Sequence, residues 1–364
     1  MQKQLKFMNW TVKLPSNMFT GFLMINHPPV EGACEFGWGD TPERNDELLS
    51  RVCDYFDTRL EKENIVPNSV AWGSIIPTHM EFVDYLKDRN YEKLHDYLSN
   101  MFTKPLCHGT AQGHEYYERL IENKDEIMQN TGFAIYDKFI TLMEATGVIP
   151  VFSPEQYQKS NDYLRFYAVS PDKYIDLLEE HLGYDLIAPK YQGNHFGIQT
   201  EEHGLYSDRD IMCLGVAIRI AESYWNRRNI RIADIGGGVG HLEYYLHKLG
   251  FTDITMIDIP TVSTSAKYFL ETNLGENDIK LISPEEFTGE YDLVVNFDGL
   301  PTYGEDAAKE YIEKISKNTK HFLSINREVD DFRISDICNM TRVSRNQFWY
   351  RKGYVEEDYV PERS

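Results

Sequence analysis

Residues 231–240, Arg-Ile-Ala-Asp-Ile-Gly-Gly-Gly-Val-Gly, constrain the fold of this chain more than any other segment. An apolar run that closes on an acid and then meets Gly236, Gly237, Gly238 and Gly240 is unsuited to a helix interior, where each glycine costs about 1 kcal/mol. It suits the turn in which a parallel strand hands over to a helix. There glycine opens backbone torsions closed to other residues and lets the main chain approach a ligand. The next residues agree, because Leu242, Tyr245, Leu246 and Leu249 share one helical face and Gly250 supplies a stop. In a doubly wound sheet, ligands bind beyond the carboxyl ends of the strands, at a turn of this kind.

The surroundings supply the rest of such a sheet. Short apolar runs at Ile230–Ile235, Ile254–Ile257, Ile279–Ile282, Leu293–Val295 and His321–Ile325 alternate with helical or loop crossovers, and a helix is predicted over 208–225. The aromatic-polar alternation around Gly353, at 348–360, predicts a closing antiparallel strand or hairpin. Upstream the pattern differs. Residues 1–45 are rich in proline and glycine and read as an irregular arm. Leu48, Leu49, Val52, Tyr55, Phe56 and Leu60 then mark a helical stripe, and further helices are predicted within 114–146 and 171–182. The expected architecture is α/β: a mainly helical N-terminal domain over 1–195, serving substrate recognition or oligomerisation, and a doubly wound, Rossmann-like domain over 196–364.

Glycine spacing narrows the ligand. A dinucleotide fingerprint needs G-x-G-x-x-G, yet the third glycine position falls on His241 counting from Gly236 and on Glu243 counting from Gly238. The pattern present is acid-x-G-x-G-x-G, with Asp234 ahead of Gly236, Gly238 and Gly240. A carboxylate there repels a pyrophosphate but accepts a hydrogen bond from an ammonium group. Asp258 follows the first glycine by 22 residues, a spacing suited to gripping ribose hydroxyls. Its alternative role is to cap the next helix, a task open also to Thr261 and Ser263. Together these features point to S-adenosylmethionine as cofactor. Ile259, Ser283 and Asn296 are the further expected contacts, and a purely structural turn is the alternative.

Composition removes some classes of partner. With a formal net charge of −21 the chain repels phosphate backbones and anionic lipid, which argues against nucleic acid and membrane surfaces. The five cysteines lie at least 19 residues apart, so no CxxC pair exists for a zinc ribbon or redox dithiol. The N-terminal residues lack the apolar run of a signal peptide, and no stretch of 18 apolar residues occurs. A cytoplasmic protein is expected, with a homodimer compatible with its long helical half.

The second half resembles the sugar O-methyltransferases of bacterial surface-polysaccharide clusters. The resemblance rests on ADIGGGVGHL at 233–242, IDIP at 257–260 and YDLVVNFDGL at 291–300, and continues in FLSINRE at 322–328 and FWYRKGYVEEDY at 348–359. It extends more faintly to GVIPVFSPEQ at 147–156 and GNHFGI at 193–198. The first two motifs are general to class I methyltransferases; the later ones favour the subgroup. The resemblance implies methyl transfer to a hydroxyl of a sugar or glycan precursor. Two places depart from the pattern: Asp298-Gly299-Leu300-Pro301 stands where a serine and a Glu-Met pair are usual, and His195 where Gly-Asn-Pro is usual. Other acceptors therefore stay open, namely a hydroxyl, amine or phosphate-linked group of another small metabolite. So does a non-catalytic, cofactor-binding partner subunit.

Methyl transfer to oxygen needs a base at the carboxyl end of the sheet. Asp298 and Glu328 stand just past the fourth and fifth strands, His241 opens the helix after Gly240, and His195 and His203 sit in the linker. Asp258, Asp298 and Glu328 also offer oxygen ligands for a divalent metal, although no spacing demands one. The aromatics Phe348, Trp349, Tyr350, Tyr354 and Tyr359 suit either a sugar-stacking platform or a core, and Arg345 and Arg351 either an anionic group on the acceptor or a solvated surface.

Overall fold

The computed structural model describes residues 4–7, 10–13, 34–60, 69–108, 110, 122, 126–151, 168–224, 226–328 and 332–362. Strands β1 (Gln4–Phe7) and β2 (Trp10–Lys13) pair with each other, and β3 (Glu35–Trp38) leads into a helical run. That run comprises α1 (Asp46–Leu60), α2 (Val70–Ile75), α3 (Met80–Lys87), α4 (Tyr91–Ser99), α5 (Glu126–Ala145) and α6 (Pro171–Leu182). Local chemistry sets the ends. Pro171 opens α6, where its missing N–H costs nothing, and Gly183 closes it at φ 75°. Most of the helix predicted to begin within 114–125 lies outside the described residues.

Strands β4 (Phe196–Gln199) and β5 (Leu205–Ser207) follow, and Ser207 caps α7 (Asp208–Ser223). The cap is reciprocal: Asp210 N–H donates to Ser207 Oγ at 3.2 Å and Ser207 N–H to Asp210 Oδ2 at 2.9 Å. Thereafter strand and helix alternate through β6 (Arg231–Ile235), α8 (His241–Lys248), β7 (Asp253–Ile257), α9 (Pro260–Leu274), β8 (Lys280–Ile282), β9 (Leu293–Phe297), α10 (Glu305–Asn318) and β10 (Phe322–Arg327). A short α11 (Ile334–Ile337) precedes β11 (Thr341–Gln347) and β12 (Tyr354–Val360).

Seven strands form one sheet in the order β8-β7-β6-β9-β10-β12-β11. The first five are parallel, and β12 runs antiparallel to both β10 and β11. This is the doubly wound arrangement expected, with all five predicted parallel strands present. β9, Leu-Val-Val-Asn-Phe, is buried along its whole length, as a strand covered on both faces must be. The chain order reverses between β6 and β9, and the glycine loop leaves β6 at that switch point. The closing hairpin begins earlier than the aromatic pattern indicated. Its first strand is the polar, exposed Thr341–Gln347, whose charges suit an open sheet edge, while Phe348, Trp349 and Tyr350 lie in the connection.

The helical half and the sheet half share a core. One cluster of buried side chains runs from Phe56, Phe82 and Phe139 through Tyr206 to Leu246, Val295 and Ile325. The boundary expected between 195 and 196 is bridged, because β3 pairs with β4. At the seam of α1 and α9, Arg51 reaches Glu271 at 3.0 Å, but the Arg51 side chain is 41% exposed. An ion pair so exposed contributes roughly 0–1 kcal/mol, whereas burying Phe56 completely contributes about 1.5–3 kcal/mol. Apolar packing holds this seam. Among the described residues no helix is long and apolar enough to cross a membrane.

Candidate functional site

The glycine loop is built as its composition requires. Gly236, Gly238 and Gly240 take φ of 78°, 64° and 100°, a region that side chains strain to occupy. Space is as restrictive as torsion. A Cβ on Gly236 would strike the Tyr303 hydroxyl, and one on Gly238 would lie 2.9 Å from the Thr110 carbonyl oxygen.

Asp258 anchors the loop from the next strand. Its Oδ2 accepts from Gly238 N–H at 3.1 Å and its Oδ1 from Ile259 N–H at 2.8 Å. Burial pushes its carboxyl up to about 7, against the lowering effect of those two N–H groups. Thr261 and Ser263 do not cap α9: Ile259 holds the cap position, and Ser263 Oγ donates to the Pro260 carbonyl. Asp258 therefore serves the loop and the helix start at once.

Asp234 ends β6 behind the loop, fully buried and beside Glu243 of α8. A Cβ on Gly237 would lie 2.5 Å from Glu243 Oε1. Among the described residues neither Asp234 Oδ1 nor either Glu243 oxygen has a hydrogen-bond partner. Burial raises both carboxyls: Asp234 to about 7, against the lowering effect of Glu243 and of the Arg209 charge, and Glu243 well above the usual range, with the Asp234 charge adding to it. Orphaned buried carboxyls beside a side-chain-free cradle are the acceptors that a cationic ligand group requires. The fit to S-adenosylmethionine is thus good on both counts, the cradle and the carboxyls. Glu243 had no distinguishing signal in the sequence beyond its place three residues after Gly240.

Asn296 lies beneath this loop. Its Nδ2 donates to the Ile235 carbonyl at 2.7 Å, and its Oδ1 accepts from Leu300 N–H at 3.1 Å and Asn326 Nδ2 at 2.9 Å. These bonds tie β6, β9 and β10 together and leave one N–H of Nδ2 as a further donor. Ser283, also buried, donates its N–H to Glu286 at 2.9 Å and belongs to a turn after β8. Ile259 packs in the apolar core.

Asp298 stands out among the candidate bases. It occupies φ 59°, one of three described non-glycine residues at positive φ, and such strain persists where surroundings enforce it. Here Tyr354 Oη donates to Oδ1 at 2.6 Å and Arg351 Nη1 to Oδ2 at 3.0 Å. Each oxygen keeps a further lone pair.

The other bases are placed elsewhere. His195 stacks on Phe102 with ring centroids 4.0 Å apart, and His241 lies 4.6 Å from Phe269. Burial holds His195 down to about 3, assisted by the nearby Arg209 charge, and lowers His241 strongly. Both are neutral core histidines. His203 pairs with Asp172 at 2.9 Å, and Glu328 with Arg345 at 2.6 Å. Neither metal-ligand set among the described residues is the trio Asp258, Asp298 and Glu328. His195, Asp210 and His241 instead bring donor atoms within 4.8 Å of one another, as do Asp176, Glu179 and His203.

Gly236, Asp258 and Asp298 line one cleft of about 230 Å³. Trp72, Ile75 and Thr110 come to it from the helical half, and Tyr303, Arg209, Arg327, Arg351 and Tyr354 complete much of the wall. Ser69 Oγ donates to the Thr302 carbonyl at 2.6 Å and Trp72 Nε1 to Thr302 Oγ1 at 3.2 Å, which pins this roof to the floor. The sequence alone singled out none of Trp72, Thr110 or Arg209. Of the aromatic set, Phe348, Tyr350 and Tyr359 are core, and only Tyr354 reaches the cleft. Arg345 is neutralised by Glu328 and Glu357, while Arg351 lines the cleft.

No protein-family model and no curated protein matches the chain. Among solved structures it is similar to the magnesium protoporphyrin IX methyltransferase of Synechocystis with bound S-adenosylmethionine. That similarity has 16% identity and a TM-score of 0.36, and covers 43% of this chain and 80% of that one. It is also similar to a mitomycin 7-O-methyltransferase at 15% identity and a TM-score of 0.33, over 42% of this chain and 57% of that one.

Proposed function

We propose that this chain is an S-adenosylmethionine-dependent O-methyltransferase acting on a hydroxyl of a sugar or glycan precursor. The observation that carries the reading is one cleft lined by the glycine cradle at Gly236, by Asp258 and by the strained Asp298, with the orphaned carboxyls Asp234 and Glu243 buried behind the loop. When bound, the cofactor supplies an electrophilic methyl group. Asp234 and Glu243 would hold its ammonium, Asp258 its ribose hydroxyls, and Gly236 and Gly238 leave room for it. Asp298 then takes the proton from the acceptor hydroxyl through a free lone pair on its carboxylate. Arg351 and Tyr354 fix the direction of that carboxylate. The sugar acceptor is supported by the motif resemblance at 291–300 and 348–359.

The test is Asp298→Ala in a single-turnover assay with methyl-labelled cofactor and candidate sugars. Methyl transfer should fall by roughly 10²- to 10⁴-fold, the usual contribution of a positioned base. Calorimetric affinity for S-adenosylhomocysteine should stay within a few-fold of the unaltered protein. Full activity in the variant removes Asp298 from this role. Cofactor binding without turnover on any hydroxylated acceptor would favour a non-catalytic subunit.

A further inference from the structure

Trp72, Tyr303 and Tyr354 each bring an aromatic ring with a polar end to the cleft. Trp72 Nε1 donates to Thr302 Oγ1 and Tyr354 Oη to Asp298. Among the described residues the Tyr303 hydroxyl makes no hydrogen bond, although the residue is only 6% exposed. Buried polar groups are almost always bonded, so a hydroxyl like this one calls for a partner from outside the chain.

Packing fixes where that hydroxyl points. The ring centroid lies 6.0 Å from that of Trp72 and 5.8 Å from that of Tyr311, and Ser69 N–H donates to the Tyr303 carbonyl at 3.1 Å. Its oxygen is the atom that a Cβ on Gly236 would strike, and a Cβ on Gly299 would lie 3.0 Å from it. It therefore touches both the glycine loop and the turn that carries Asp298. Burial chiefly, with Asp258, Tyr311, Asp234 and Asp298 adding, keeps the hydroxyl protonated far above the ordinary tyrosine range. A neutral oxygen thus stands within electrostatic reach of the acid assigned to ribose and of the acid assigned to the acceptor.

The transferred methyl has to pass between those two acids. We propose that the Tyr303 oxygen faces the sulfonium of the bound cofactor and makes the site prefer the charged cofactor over its neutral product. This rests on the methyltransferase reading and adds to it a residue that tells cofactor from product. The oxygen offers lone pairs to a cation in a buried cleft, where such an interaction is stronger than in water, and the C–H bonds of a sulfonium methyl are polarised enough to act as weak donors. In the transfer the carbon–sulfur bond breaks with its electron pair left on sulfur, a carbon–oxygen bond forms, and the acceptor proton goes to Asp298. The positive charge that faced the Tyr303 oxygen is then gone, so the product is held less tightly than the cofactor.

The experiment is calorimetry on the full chain without acceptor, titrated with S-adenosylmethionine, S-adenosylhomocysteine and sinefungin, in which an ammonium on carbon replaces the methyl sulfonium. Tyr303→Phe removes only the oxygen and keeps the ring contacts. It should weaken S-adenosylmethionine by roughly 3- to 10-fold and sinefungin by roughly 10- to 100-fold, with S-adenosylhomocysteine changed by less than about twofold. Its melting temperature should match that of the unaltered protein, because no bond within the protein is lost. Equal losses for all three ligands would put the hydroxyl against ribose or the amino-acid end, and overturn the proposal. Unchanged affinities overturn it as well. So does a melting temperature lowered by several degrees, which would show that the hydroxyl already has a partner inside the protein. Failure of the unaltered protein to bind any of the three ligands is a different result: it sinks the methyltransferase reading itself.

Discussion

The floor and the roof of the cleft are built on different principles. The floor is the carboxyl edge of a parallel sheet, where Gly236, Gly238, Asp258 and Asp298 sit at fixed offsets from strand ends. The roof is Trp72, Ile75 and Thr110, side chains and backbone from a helical half that reaches the loop through a few contacts with Thr302 and Tyr303. Floor residues are positioned by backbone hydrogen bonding that the sheet needs in any case. Roof residues are positioned by tertiary docking, so they can be loosened without unravelling the sheet.

That difference can be broken most visibly at Trp72, which is 4% exposed and meets Tyr303 edge-on with ring centroids 6.0 Å apart. Trp72→Ala should lower unfolding free energy by about 3–5 kcal/mol in a denaturant titration, as for other buried large aromatics. Far-UV circular dichroism of the folded variant should keep its native shape. A loss under 1 kcal/mol would mean the roof is only laid against the floor.

On the floor, Gly236→Val combines a β-branched residue at φ 78° with a collision against Tyr303. Affinity for S-adenosylhomocysteine should fall roughly 100-fold, the equivalent of about 2.7 kcal/mol of strain. An unchanged dissociation constant would show that the loop does not face the ligand.

His195 probes the seam between the two regions. Its folded pKa is depressed to about 3, so below about 6.5 the unfolded chain binds a proton that the folded one refuses. Its contribution is complete above pH 6.5 and is lost as pH falls towards 3. Between pH 6.5 and 5 that is about 2 kcal/mol at 1.36 kcal/mol per unit. His195→Phe should flatten this part of the stability profile relative to the unaltered protein. Asp210 and Asp258 act in the opposite sense, since carboxyls raised to about 7 give up stability as pH rises from 4 to 7. The difference between variant and parent cancels them. Parallel profiles would mean His195 is not buried neutral.

The smallest effect concerns Asp258. Gripping ribose needs the ionised carboxylate, and its pKa in the free protein is about 7. Cofactor affinity should therefore rise with pH up to about 7, by at most tenfold per unit below it, and level off above. Asp258→Asn should remove the slope along with much of the affinity. A slope of opposite sign would reassign the carboxyl to a purely structural role.

The sheet and its switch point were legible because a parallel strand buried on both faces must be an apolar run, and because glycine is the residue for positive φ. Gly236, Gly238, Asp258 and Asp298 could be ranked on that basis before any coordinates. Glu328 also satisfied the rule of lying just past a strand, but that rule locates a Cα and says nothing of the partner that neutralises a side chain. His195 and His241 illustrate the same gap, since histidine reads equally as base or as core until its surroundings are known.

Composition and spacing by themselves determined the doubly wound sheet, the loop at its switch point and the acids flanking that loop, because each follows from backbone torsion and strand burial within a few residues. Tertiary structure alone decided that Glu243 backs Asp234, that Trp72 and Thr110 close the cleft, that Glu328 is taken by Arg345, and that Arg351 from the closing hairpin pairs with Asp298. Those outcomes depend on contacts between residues far apart in the chain, and no local period or offset encodes them.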